Sequence, residues 1–192
     1  MVSLTSRFPV GPPVFLGPFT PEFLESLKPG DALALSSAIY IYNFITGPPN
    51  TAGKVTYGYV DVRDVARAVV AAIDPKVPGS HRLLISSLPW FDNGDIAAHI
   101  AAIRPDLKDR VIKAESSEWK AFIAEEEIRK TVEVLGFGEM TPWKKTVEDS
   151  LESILEMEKI WKEKGVDVDE VLGKNWALDF MNAAAAARVE LN

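Results

Sequence analysis

The stretch from Tyr57 to Asp74, YGYVDVRDVARAVVAAID, decides how the chain is read. Its first residues follow a short strand pattern that ends at Val60. Asp61 or Asp64 can cap the backbone amides that follow. Val65, Ala66, Val69, Val70 and Ile73 then recur at the spacing of one helix face, and Asp74-Pro75 ends the helix. A strand end, a cap and a helix in this order suit a helix packed beneath a cofactor site. The rest of the chain must say whether such a site exists.

Working outward, residues 1–30 are rich in proline and glycine. VSLTS at 2–6 alternates as a short strand. PPVFLGPFTPEF reads as loop or extended chain, because proline removes backbone donors and disfavours helix before it. Residues 31–46 are apolar enough for a buried helix or strand: alanine, leucine and serine at the front favour a helix, the reading taken here, while IYIYNFI alone would suggest a strand, and TGPPNTAGK reads as a loop. After the turn KVPGS, RLLIS reads as a buried strand. DNGDIAAHIAAIRP is a short amphipathic helix capped near Asp92 or Asn93. A charged helical stretch between Ser117 and Leu135 ends in GFG. In TVEDSLESILEMEKIWKEKG, Thr146 and Asp149 resemble a capping box. Val147, Leu151, Ile154, Leu155 and Trp161 form its apolar stripe, Glu158 and Lys162 an i,i+4 pair, and Gly165 its stop. The tail predicts a last helix with Leu172, Trp176 and Phe180 spaced by four.

The 192 residues suit one domain with a sizeable core. Hydrophobic residues make up 47% and charged residues 26%, and the formal net charge of −7 argues against a general nucleic-acid surface. There is no cysteine, which removes disulfides, thiolate chemistry and cysteine-based zinc sites. His81 and His99 lie far apart in sequence with no acidic pair at metal-ligand spacing, so no metal is expected. No segment resembles a signal peptide or is long and apolar enough to cross a bilayer. A cytoplasmic protein with no membrane partner is expected. Glu125, Glu126 and Glu127 read as a solvated helix face, and the serines lack a G-x-S-x-G elbow.

Four segments in order, PPVFLGPF, YVDVRDVARAVVAAI, RLLISS with DIAAHI, and EVLGFGEMTPWKKTVEDSLESILEMEKIW, resemble the C-terminal half of an extended short-chain dehydrogenase/reductase. The likeness is nearest to the dihydroflavonol-reductase and cinnamoyl-CoA-reductase branch and its fungal ketone- and aldehyde-reducing relatives, and covers roughly residues 8–164. It implies an α/β fold: a Rossmann-like remnant with few parallel strands and a mainly helical substrate-binding portion. The organisation it implies is a reductase-like domain over 1–165 and a helical extension over 166–192. In that family the front half carries a glycine-rich turn against the cofactor pyrophosphate and a catalytic Y-x-x-x-K. Neither occurs here. Gly136 and Gly138 are followed by Thr141 instead of a third glycine, and Tyr59 with Arg63 is the nearest approach to the second motif. Arginine does not replace a lysine shaped to hold a nicotinamide ribose. No bound cofactor is therefore expected for this chain.

The resemblance also places Pro12 and Pro13 where the family's backbone meets the nicotinamide ring. It puts Phe15, Phe19, Tyr57, Tyr59 and Trp90 on segments that line the family's substrate cleft. For each residue alone, a rigid turn or ordinary core packing accounts for the pattern. As a set they suggest an apolar pocket with a few polar tips. Three functions follow as expectations. The first is a truncated reductase relative that binds an apolar or aromatic small molecule and is unable to transfer hydride alone, either as a pseudo-enzyme or with a cofactor-free rearrangement or cyclisation as its chemistry. The second is a piece of an NADP-dependent ketone or aldehyde reductase. The third is a non-catalytic interaction module. An unpaired sheet edge and the apolar face of the helix at 62–73 further lead to the expectation of a homodimer.

Overall fold

Three short strand pairs set the frame. The computed structural model describes residues 10–11, 13–46, 56–74, 76–77, 83–89, 91–114, 124–136, 138–168 and 170. In it β1 (Val10–Gly11) runs parallel to β5 (Leu83–Leu84), and β2 (Val14–Leu16) runs parallel to β4 (Tyr59–Asp61). The third pair, β3 (Thr56–Tyr57) with β6 (Phe91–Asp92), is antiparallel, which the sequence pattern does not reveal. The strand expected at 2–6 and the helix expected around Leu172, Trp176 and Phe180 lie outside the described residues.

Parallel neighbours require a crossover, and here helices supply it. Between β2 and β4 come α1 (Pro21–Ser26), a 3₁₀ segment (Ala32–Ala38) and α2 (Ile39–Thr46). The single helix expected over 31–46 is thus two pieces. Ser36, at φ 49° and ψ −126°, leaves helical geometry and breaks the run. After β4 follows α3 (Val62–Ala72), and after β6 follows α4 (Asn93–Ile103). Asp92 is the cap of α4, in a reciprocal box with Asp95. Further on lie α5 (Glu125–Leu135) and α6 (Trp143–Glu163).

The expected capping box at Thr146 is not formed. α6 begins a turn earlier, at Trp143 after Pro142, so Thr146 lies inside the helix. Proline at this point suits a helix start because its missing N–H would have no intrahelical partner. Gly165 does close the helix, at φ 80°.

Two cores result. The larger packs Ile41, Tyr42, Phe44 and Ile45 of α2 against Val147, Leu151, Ile154, Met157 and Trp161 of α6. The stripe read from α6 is the buried one, except that Leu155 is only half-buried and Met157 joins it. Each such aliphatic side chain stabilises the fold by about 1.5–3 kcal/mol. The smaller core joins Val60, Ala68, Leu83, Ile85 and Leu135, which come from β4, α3, β5 and α5 and the residue just past β5. The apolar face expected for α3 is not the buried one: Ala68 is buried in the smaller core and Val65 is half-buried against it, while Ala66, Val69, Val70 and Ile73 are exposed, the last two at 70% and 75%. Val168 is buried in the larger core, so the first residues of the expected extension pack on the main body. Among the described residues no helix is long and apolar enough to cross a membrane.

One residue pins β2 to α3. At Gly17, φ is +146°, and a Cβ there would stand 2.6 Å from Val62 Cγ1. Only glycine permits that backbone angle at that separation.

The larger core also holds a charge. Glu158 is buried and accepts hydrogen bonds from Tyr42 Oη at 2.8 Å and from Arg110 Nη1 at 3.0 Å. Lys162, the partner expected from sequence, stands 3.9 Å away. Removing one member of a buried pair leaves the other uncompensated. Arg110→Ala is therefore expected to lower stability by about 2–4 kcal/mol, at the low side of that effect because Arg110 is partly exposed. Urea unfolding checks this, and an unchanged midpoint would show that Glu158 does not depend on Arg110.

Candidate functional site

The DVRD of the opening stretch forms a junction of charges. Asp61 ends β4 and is the N-cap of α3, its Oδ1 accepting from Arg63 N at 2.9 Å. The same carboxylate accepts from Arg63 Nε at 2.8 Å, from Arg63 Nη2 at 2.7 Å and from Thr146 Oγ1 at 2.8 Å. Arg63 Nη1 continues to Asp149 Oδ2 at 2.6 Å, where Lys145 Nζ also arrives at 2.6 Å. Asp64 is not the cap. It lies in the first turn and accepts from Thr141 N at 2.7 Å and Thr141 Oγ1 at 3.1 Å. Arg67 pairs with Asp64 as well and donates to the Glu139 carbonyl at 3.0 Å. Both aspartates are fully buried and both reach α6 or the chain leading into it.

The electrostatics follow from these partners. Burial pushes the Asp61 carboxyl up, but hydrogen bonds from Arg63 and Thr146 outweigh it and hold the group below the usual carboxylate range. Asp149 is shifted the same way, with burial opposed by Lys145 and Arg63. Arg63 is held still more firmly protonated, chiefly by its bonds to Asp61.

Beside this junction lie two hydroxyls. Residues 85–87 run along β4, with Ser87 N donating to the Tyr59 carbonyl at 2.8 Å and Ser86 Oγ donating to it at 3.1 Å. The Tyr59 and Ser87 hydroxyls are buried and have no hydrogen-bond partner among the described residues. Burial pushes the Tyr59 phenol well above its ordinary value, and the neighbouring Ser87 hydroxyl reverses only part of that.

A groove of about 770 Å³ opens between the Ser86–Pro89 turn, α5 and residues 138–143. Leu88, Ile128, Val132, Met140 and Trp143 supply apolar lining, and Arg129, Glu133 and Glu139 are its charged residues. The Trp143 ring is positioned by Phe91, centroids 5.4 Å apart, and by His99 at 5.2 Å. Phe91 in turn packs on Tyr59 at 4.6 Å. His99 Nε2 is 3.0 Å from Glu148 Oε1, and among the described residues no group of three or more His, Asp or Glu side chains is placed to hold a metal ion.

The residues expected to line a cleft take several places. Pro13 is half-buried at the bend before β2, and Phe15 on β2 is 41% exposed. Phe19 packs on Phe23 at 5.0 Å, with its N–H bonded to Ser153 Oγ at 3.1 Å. Tyr59 is in the larger core. The backbone of Tyr57 pairs with Phe91. Pro12, Trp90 and His81 lie outside the described residues. None of Pro13, Phe15, Phe19 and Tyr59 lines the groove. Arg63, considered with Tyr59 for its spacing, is engaged by Asp61 and Asp149. The groove residues were missed because α5 and the turn at Ser86 meet only in three dimensions. The proline, glycine and aromatic residues between Leu88 and Trp143 were the one available signal.

No family model matches the chain. A curated Candida albicans protein, GRP2, provisionally described as an NADPH-dependent methylglyoxal reductase, is 26% identical over 159 residues, 70% of this chain and 46% of the relative. The crystal structure of Gre2 from Candida albicans is 25% identical with a TM-score of 0.63, over 80% of this chain and 45% of that one. Gre2-type reductases are thus among the proteins this chain is similar to. Yeast methylglyoxal/isovaleraldehyde reductase Gre2, solved with NADPH, shares the fold at a TM-score of 0.64 and 24% identity, over 78% of this chain and 43% of that one. The chain thus spans less than half the length of these Gre2-type relatives, and its helices and small parallel pairs are a part of their Rossmann-like reductase fold.

The N-termini of α3, α4 and α5 do not fit the pyrophosphate of a dinucleotide. A pyrophosphate is bound by free amides at a helix N-terminus. Here the N-termini of α3, α4 and α5 carry carboxylates: Asp61 and Asp64, Asp92 and Asp95, and Glu125 to Glu127. The turn before α6 is taken by Asp64. Gly136 and Gly165 terminate helices at their C-terminal ends, where carbonyls repel an anion.

The junction gives a pH dependence with a defined sign. Asp61 holds its proton less readily folded than unfolded, so its contribution is present above the unfolded carboxylate value of about 3.9 and is lost as pH falls through the lower folded value. Asp61→Asn is expected to lower stability at neutral pH and to make the fall of stability in acid shallower. Urea midpoints between about pH 2 and 7 check it, and an acid limb as steep as that of the unchanged chain would contradict it.

Proposed function

We propose that this chain acts as the substrate-side part of a Gre2-type carbonyl reductase and does not transfer hydride by itself. The observation that carries the reading is the opposition between its relatives and its helix ends. Similarity to a protein provisionally described as an NADPH-dependent methylglyoxal reductase covers 46% of that protein, while the helix N-termini of α3 and α4 are filled by aspartates. The comparisons favour the second of the sequence-based expectations, a piece of an NADP-dependent reductase. They offer nothing for a cofactor-free rearrangement. The substrate class that accords with the relatives is a small aldehyde or ketone, with methylglyoxal as the first to try.

On this reading the chain contributes positioning. A carbonyl substrate held against an ordered helical wall gains rate through restricted orientation, and hydride would come from NADPH bound to other residues than these. The Asp61 junction keeps that wall in register by tying α3 to α6.

The reading is tested in two steps. Calorimetric titration of the chain with NADPH is expected to show no saturable heat. Mixing it with a polypeptide bearing the glycine-rich turn and Y-x-x-x-K of a Gre2-type enzyme is expected to give methylglyoxal-dependent NADPH oxidation that neither component shows alone. Micromolar NADPH binding by this chain would overturn the first half, and an inactive but physically assembled mixture would overturn the second.

A further inference from the structure

We propose that the groove between α5 and the Ser86–Pro89 turn is a binding site for a small aromatic molecule that is cationic or neutral. The inference does not depend on the reductase reading. Its volume of about 770 Å³ is within the range of small-molecule sites, which are concave and mainly apolar with few polar groups. Three separate parts of the chain build it, so its shape is set by the fold and not by one loop. Val132 and Ile128 project from α5, Leu88 and Pro89 from the turn, and Met140 and Trp143 from the approach to α6.

Two features select the ligand. Trp143 offers an aromatic wall that is already oriented, because Phe91 and His99 hold its ring from within the protein. An aromatic partner gains from such a ring through offset or edge contact. Met140 adds an adaptable side chain beside it. The charge balance sets the sign. Glu133 and Glu139 line the groove with Arg129, and Arg129 is already paired with Glu125 at 3.2 Å. Lys144 Nζ stands 5.7 Å from the Trp143 ring centroid but does not line the groove, whose two carboxylates beside one paired guanidinium favour a cation over an anion.

An isosteric series tests this on the full chain. Tryptamine, indole and indole-3-acetate share one ring and differ in charge. Saturation-transfer NMR and calorimetry are expected to show binding in the order tryptamine, indole, indole-3-acetate. Val132→Arg, on the half-buried side of α5, is expected to weaken tryptamine at least about tenfold with an unchanged circular-dichroism spectrum and unfolding midpoint. The double change Glu133→Gln with Glu139→Gln is expected to narrow the preference for tryptamine over indole-3-acetate. Absence of saturable tryptamine and indole binding would overturn the proposal. So would affinity unchanged by Val132→Arg, or a dimer mass that this substitution abolishes, which would give the groove to a second copy.

Discussion

Two carboxylates buried at the start of one helix constrain the rest of the molecule. Asp61 and Asp64 are fully buried at the start of α3, and an uncompensated charge there would cost several kcal/mol. The compensation comes from a distance. Thr141 and Thr146, about eighty residues on in the chain, donate to them, and Arg63 bridges Asp61 to Asp149. These partners exist only if α6 starts at Trp143 and presents Thr146 and Asp149 on one side. The other side of α6 is then bound to meet α2, where Val147, Leu151 and Ile154 complete the larger core. Charge satisfaction at one end of α3 thereby fixes the register of α6, the longest helix among the described residues.

The same arrangement shapes what the chain can do. An N-terminus that caps itself with its own carboxylate is closed to a phosphate, so the helix of the opening stretch serves packing and alignment. That answers why such a helix is present in a chain without a glycine-rich turn. Here the aspartates of that helix lock α3 to α6 and to the chain that leads into it. Thr141, held by Asp64, lies between Met140 and Pro142, which both line the groove. The aspartate that orders α6 therefore also sets one wall of that groove.

Much of this was legible from residue order and some of it was not. The spacing of Val147, Leu151, Ile154 and Trp161 gives the buried stripe of α6, because helical period alone decides which side chains share a face. YVDV followed by RDVARAV gives strand, cap and helix for a similar reason. The start of α6 misled, because Thr146 has the chemistry of a cap but spends its hydroxyl on Asp61. Local pattern cannot see a partner eighty-five residues away. The break at Ser36 was hidden because serine carries no signature of a positive φ. For the candidate site, the aromatic content was visible but its grouping was not: Phe15, Phe19 and Tyr59 go to three different environments, and Trp143 stood ahead of the helix expected from Thr146, with no role of its own.

A double-mutant cycle between Asp61 and Thr146 tests the central claim most directly. Asp61→Asn, Thr146→Val and the combined variant are compared with the unchanged chain by urea unfolding at neutral pH. If this bond anchors α6 to α3, the coupling energy is about 1 kcal/mol or more, as expected for a buried hydrogen bond to a charged group. Additive losses, with a coupling near zero, would contradict the clamp and return Asp61 to the role of a local helix cap.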